Sequence, residues 1–178
     1  MTEHQRKLEE ARYKYKPEVI KYLFVAEAPP AALERFFYFE DVKYQDSLFL
    51  EIMKWLLPQA KNPPTAWIRE RKATFLDYFK EKGCFLIDAM DIPMDVTGTN
   101  DKIKRLEPFK NNLLNKINKL VNPETKIILI SSPVYSAMAG YLKYNIVNVV
   151  NTEMIDFPGS GRQTEFHNKM QKLFPNGI

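Results

Sequence analysis

Four short stretches of this sequence hold residues able to do chemistry. The first is Ala26-Glu27-Ala28-Pro29-Pro30, directly after an apolar run. Glu27 therefore stands at a strand end, where poor solvation raises a carboxylate pKa and nearby cations lower it again. Such an acid can activate a water or stabilise a cationic transition state. Its structural alternative is a loop carboxylate that caps backbone N–H groups. The second stretch, Asp88-Ala89-Met90-Asp91, puts Asp88 at another strand end, and two carboxylates on neighbouring strand ends make a candidate acid/base pair. The third, Arg35-Phe36-Phe37-Tyr38-Phe39, has four aromatics in a row. One ring can stack on a planar base, or the run folds onto the core as a hydrophobic lid.

The fourth stretch is Asp156-Phe157-Pro158-Gly159-Ser160-Gly161-Arg162, with a helix signal following at once. Backbone N–H groups at such a junction point outward, and the helix dipole favours an anion. Ser160 and Arg162 add a hydroxyl and a charge, which makes a phosphate-gripping arrangement. The alternative is a glycine-rich helix entry whose N–H groups Ser160 satisfies. The Gly-Lys-Ser/Thr ending of a P-loop is absent.

Other chemistries find little support. His4 and His167 have no metal partner nearby in sequence, and His167 reads as a surface residue, so no metal site is expected. The single cysteine, Cys84, excludes an internal disulfide and any all-cysteine zinc or iron–sulfur site built by this chain alone. It suits a reducing, cytoplasmic compartment. No Gly-x-Ser-x-Gly nucleophile motif occurs. The lysine-rich run from 102 to 119 reads as a solvated helix face.

These loops need a scaffold. The chain has 178 residues, 45% hydrophobic and 13% aromatic, enough for one well-formed core and too apolar for a disordered chain. Its net charge of +4 permits a polyanionic partner without demanding one. The longest apolar runs are far short of a membrane span, and the charged N-terminus lacks the apolar segment of a secretory signal, so no membrane partnering is expected. Runs at 21–26, 84–88, 125–131 and 145–150 are apolar at nearly every position, as a parallel sheet covered on both faces requires. Helical spacing is found at 1–15, 47–57 behind Asp46, 65–82 ending at Gly83, 108–121, 132–142 and 162–174, the last opened by a Ser160/Gln163 capping box. The alternation predicts an α/β fold: one domain over 1–178, an N-terminal helix within 1–16, and a three-layer α/β/α sandwich around a mostly parallel four-stranded sheet. Ligands of such sheets bind at the carboxyl ends of the strands, where the four loops lie.

In this order the loops resemble the uracil-DNA glycosylase superfamily, over roughly residues 22–174. Tyr22 to Pro30 (YLFVAEAPP) is similar to its first motif, a strand followed by Gly-Glu-Ala-Pro-Gly in the thermophile-type branch. Gly83 to Met90 (GCFLIDAM) is similar to the strand ending in a base-reading Asn. Residues 123–139 resemble its Pro-x-x-Ile run followed by a helix, and Asp156 to Phe166 (DFPGSGRQTEF) resembles the motif, usually His-Pro-Ser, that opens the last helix against DNA. The resemblance implies a monomeric DNA glycosylase that needs no cofactor, partners with base-damaged or single-stranded DNA, and hydrolyses the N-glycosidic bond of a flipped uracil or other damaged base. Glu27 would be catalytic. Asp88, Phe37 or Phe39, and Phe157 would hold the base. Pro158, Gly159, Ser160, Gly161, Arg162 and Ser132 would contact the DNA backbone. Ala26 replaces the usual Gly, Phe157 the usual His and Asp88 the usual Asn. An ionised Asp88 only accepts hydrogen bonds, so it would accept from a base N3–H or an exocyclic amine. The cysteines of the thermophile-type cluster are missing. A module that binds nucleic acid or nucleotides without catalysis is the alternative, and a small-molecule hydrolase using Glu27 and Asp88 is a third.

Overall fold

The apolar runs pair as parallel strands. The computed structural model describes residues 2–145, 147–159 and 161–178. Strand β1 (Tyr22–Ala26) lies between β2 (Cys84–Asp88) and β3 (Lys126–Leu129), in the order β2-β1-β3. Leu23, Phe24, Val25, Ile127, Ile128 and Leu129 have no exposed surface, which accounts for their unbroken apolarity. Helices surround the sheet: α1 (Glu3–Lys14), α2 (Ser47–Leu56), α3 (Thr65–Glu70), α4 (Lys72–Glu81), α5 (Thr99–Leu106), α6 (Lys110–Leu120), α7 (Ser132–Tyr144) and α8 (Gln163–Leu173). The described part is thus an α/β structure with a three-stranded parallel sheet, and none of its helices is long and apolar enough to cross a membrane.

Among the described residues of the run at 145–150, where a fourth strand was expected, no strand pairs continuously with β3; Ile146 lies outside them. The chain touches β3 at two isolated parallel bridges, Ile127 with Val149 and Ile130 with Ile155. More residues separate Val149 from Ile155 than separate Ile127 from Ile130, so the chain bulges away between the bridges. Asn151 closes the gap. Its Oδ1 accepts from the Leu129 N–H (2.8 Å) and its Nδ2 donates to the Leu129 carbonyl (3.0 Å), so a side-chain amide takes the place of a peptide in the ladder. The opposite edge is closed in the same manner. The buried Tyr38 hydroxyl accepts from Leu86 N–H (2.6 Å) and donates to its carbonyl (3.1 Å).

Three helices differ from the sequence reading. The helix expected over 65–82 breaks at Arg71, whose N–H bonds to the Ile68 carbonyl while its guanidinium caps the Trp67 carbonyl (3.3 Å) and stacks on the Trp67 ring. The helix face expected over 102–119 is divided between α5, which starts earlier at Thr99, and α6. Helix α8 begins at Gln163 with Arg162 as its N-cap and no cap bond from the Arg162 side chain; the expected Ser160/Gln163 capping box rests on Ser160, which lies outside the described residues. Gly83 behaves as expected after α4: its φ of +73° is the left-handed turn that lets its carbonyl accept from both Lys21 and Tyr22 as β1 begins.

Candidate functional site

Strand register brings the two acids together. Ala26 is level with Asp88, and the Ala89 and Met90 N–H groups donate to the Ala26 and Glu27 carbonyls (2.8 and 3.2 Å). Glu27 and Asp88 therefore flank one point at the carboxyl end of the sheet. A cavity of about 320 Å³ opens there, and its walls include Glu27, Asp88, Phe36, Phe37, Phe157 and Lys102. The loops after β1 and β2, the aromatic run and the segment before α8 thus converge, although they lie far apart in sequence.

Each acid has a cation. Lys102 of α5 donates to Glu27 Oε2 at 2.8 Å, and both side chains keep some exposure (26% and 15%). Asp88 is enclosed, with 5% of its side chain exposed, and Arg12 Nη2 of α1 meets its Oδ2 at 2.6 Å. Burial pushes the Asp88 carboxyl above the usual range, and the Arg12 and Lys116 charges pull against that. Burial opposes the Arg12 charge, but Asp88 and Glu9 outweigh it and hold the guanidinium firmly protonated. Lys116 completes the cluster through the Asp88 carbonyl (3.1 Å) and Asp91 (2.5 Å). Arg12 also lines a second cavity, of about 380 Å³, together with Leu8, Tyr13 and Leu120. The Arg12–Asp88 pair therefore stands between the two cavities.

The aromatic run builds the wall and also packs the core. Phe36, Phe37 and Tyr38 are buried; Phe37 contacts Phe49 edge-on (5.7 Å between centroids) and Phe79 at a tilt (5.4 Å). Phe39, one of two candidate stacking rings, packs edge-on against Phe36 and is not on the cavity wall. The chain folds its first aromatic, Phe36, into that wall instead. Behind it lies Lys72, 1% exposed, its Nζ 3.3 Å from the Phe36 carbonyl and 4.4 Å from the centre of the Phe49 ring. Burial, against the opposing pull of Asp46, lowers its pKa to about 7. Asp46, expected to cap α2, makes no cap bond; its Oδ1 takes Arg69 Nε and Nη2 (2.9 and 2.7 Å).

The residues expected to grip phosphate are more dispersed. Phe157 reaches the cavity, 40% exposed, with its ring folded over Gly159, where an added Cβ would lie 3.2 Å from the ring. Pro158 is buried, and Gly161 and Arg162 are exposed. None of Pro158, Gly159, Gly161 and Arg162 lines the cavity, and Ser160 lies outside the described residues. Ser132 does not line it either. Its neighbour Ser131, at φ 90°, uses its hydroxyl to cap α7 through the Val134 N–H (3.4 Å), so that loop turns into the helix before reaching the opening. His167, expected free on the surface, pairs with Glu51 of α2 (2.7 Å) and helps lower the Glu51 pKa against the effect of burial.

Sequence reasoning missed Arg12, Lys102 and Lys72. Arg12 had a usable signal, because it falls on the α1 face marked by Leu8 and Tyr15. Lys102 had none, since it sits in a polar run. Compared with protein-family models, with curated proteins and with solved structures, the chain matches none of them.

Proposed function

We propose that this chain is a DNA glycosylase-like protein that hydrolyses the N-glycosidic bond of a flipped uracil or other damaged base. The observation that carries this is the convergence of Glu27, Asp88, Phe37 and Phe157 on one opening at the carboxyl ends of the strands. A volume of about 320 Å³ suits a single extruded base. Phe36 and Phe37 offer aromatic surface, and Glu27 stands where it can orient a water and stabilise an oxocarbenium-like sugar. The water oxygen bonds to C1′ and the base departs with a proton. Arg12 fixes Asp88 through Oδ2, while Oδ1, with no hydrogen-bond partner among the described residues, is left to accept from a base N–H. In this reading the bridges at Val149 and Ile155 mark a rudimentary fourth strand of a glycosylase-like three-layer sandwich, and the protein acts in base excision as a monomer.

The experiment is a lesion panel. Duplexes bearing uracil, hypoxanthine, xanthine or ethenocytosine are incubated with the protein, treated with alkali and examined for strand cleavage. Cleavage that Glu27→Gln abolishes supports catalysis. The Glu27–Lys102 and Asp88–Arg12 pairs, which occupy one oxygen of each acid, favour the second reading, a module that binds nucleic acid or nucleotides without cleaving. Salt-dependent DNA binding with no cleavage of any lesion selects that module. Neither binding nor cleavage overturns both.

A further inference from the structure

We infer that Lys102 is a nucleophile in this cavity, and that the chain cleaves abasic DNA by forming a Schiff base on the Lys102 amine. The inference rests on the reading that the cavity admits a DNA sugar. Among the described residues, Lys102 is the lysine on the cavity wall; Arg35 also lines it, but a guanidinium forms no such imine. A nucleophilic amine needs a proton acceptor within hydrogen-bond reach. Glu27 Oε2 lies 2.8 Å from Lys102 Nζ. The Lys102 side chain keeps 26% exposure on the wall of an open cavity, so an aldehyde in that cavity can reach it. Lys72, close behind the same wall, is only 1% exposed and sealed by Phe36 and Phe49. Helix α5 supports the arrangement, since Leu106 is buried and Ile103 packs on the core, fixing the turn that carries Lys102.

The steps balance without an added reagent. Lys102 passes a proton to Glu27 and its amine attacks C1′ of the ring-opened abasic aldehyde. Glu27 returns that proton to the carbinolamine hydroxyl, which leaves as water and gives a protonated imine with Glu27 again a carboxylate. A base, for which Glu27 is placed, removes a proton from C2′; the C3′–O bond breaks, and the phosphate leaves with the downstream strand. Water then hydrolyses the imine, which restores the Lys102 amine and releases an unsaturated aldehyde on the upstream strand. The water lost in forming the imine is the water regained.

The test uses the full chain, a duplex with one preformed abasic site, and sodium borohydride to reduce any imine. The expected result is a covalent protein–DNA species on a denaturing gel whose reduced adduct maps to Lys102. Lys102→Arg keeps a cation for Glu27 but lacks the amine, and its yield should fall at least tenfold. No covalent species with the unaltered chain overturns the inference, as does an adduct mapped to another residue. Mapping on the unaltered chain decides the matter even if the variant folds poorly. Because the substrate has already lost its base, this outcome is separate from base excision. Excision of uracil without trapping sinks the lyase and leaves the glycosylase. Trapping without excision of any lesion supports the lyase and removes the glycosylase.

Discussion

Replacing Lys72 with Met tests the packing that forms the aromatic wall. The Lys72 pKa falls from 10.5 to about 7 because the amine is buried. That shift is worth ~5 kcal/mol between the limits of low and high pH. Below the folded pKa the protein must bury an ammonium, and the full penalty applies. Between about 7 and 10.5 the unfolded chain holds a proton that the folded chain has released, so stability climbs with pH. The slope is about 1.4 kcal/mol per pH unit. Lys72→Met removes this term and leaves the Phe36 carbonyl without its 3.3 Å donor, at a cost of about 1–3 kcal/mol. The variant is therefore expected to be about 2–4 kcal/mol more stable than the unaltered chain at pH 7. It becomes the less stable of the two once the remaining penalty drops below the value of the lost hydrogen bond, at roughly pH 8.5–10. Urea unfolding of both chains at several pH values between 6 and 10.5 measures the difference, in which other titrating groups cancel. Two stability curves that run parallel across this range would show that Lys72 is not enclosed behind Phe36 and Phe49, and the wall as described would be wrong.

Other perturbations separate the partners in the site from the scaffold. Arg12→Leu strands the buried Asp88 carboxylate and should cost about 3–5 kcal/mol in urea unfolding; adding Asp88→Asn should recover most of that loss, and no recovery would mean that Arg12 stabilises by another route. Asn151→Ala leaves the Leu129 N–H and carbonyl unpaired and should cost about 2–4 kcal/mol, with amide exchange at Leu129 accelerated. Tyr38→Phe should have the matching effect at Leu86 on the other edge; exchange unchanged at both positions would mean that the two edges are closed differently.

The strands were the most legible part. β1, β2 and β3 declare themselves because burial on both faces leaves nearly every position apolar, and the placing of Glu27 and Asp88 at strand ends follows from that. Where the fourth strand was expected, Val147, Val149 and Val150 satisfy the same composition rule. The rule fails there because an Asn151 side chain, not the backbone, carries part of the pairing. Phe36 and Phe39 show a similar limit: a run of aromatics reveals that something is buried without saying which ring faces the opening. The electrostatic pairings were illegible for a different reason, even though Arg12 itself falls on the inward face of α1. Arg12 and Lys102 meet Asp88 and Glu27 across 76 and 75 residues of chain. Such pairings arise from how α1 and α5 dock, and local patterns do not encode them. Lys72 was hidden because a lysine within a helix normally marks its solvated side.

Single-turnover base release from a uracil-containing duplex tests most directly whether Glu27 works on a nucleobase held in the cavity. If uracil is the base excised, the unaltered chain should release free base, with Glu27→Gln slower by roughly 100-fold or more. If another lesion of the panel is the substrate, the same comparison applies to that lesion. Release at equal rates by both chains, or no release from any lesion tested, would contradict the account.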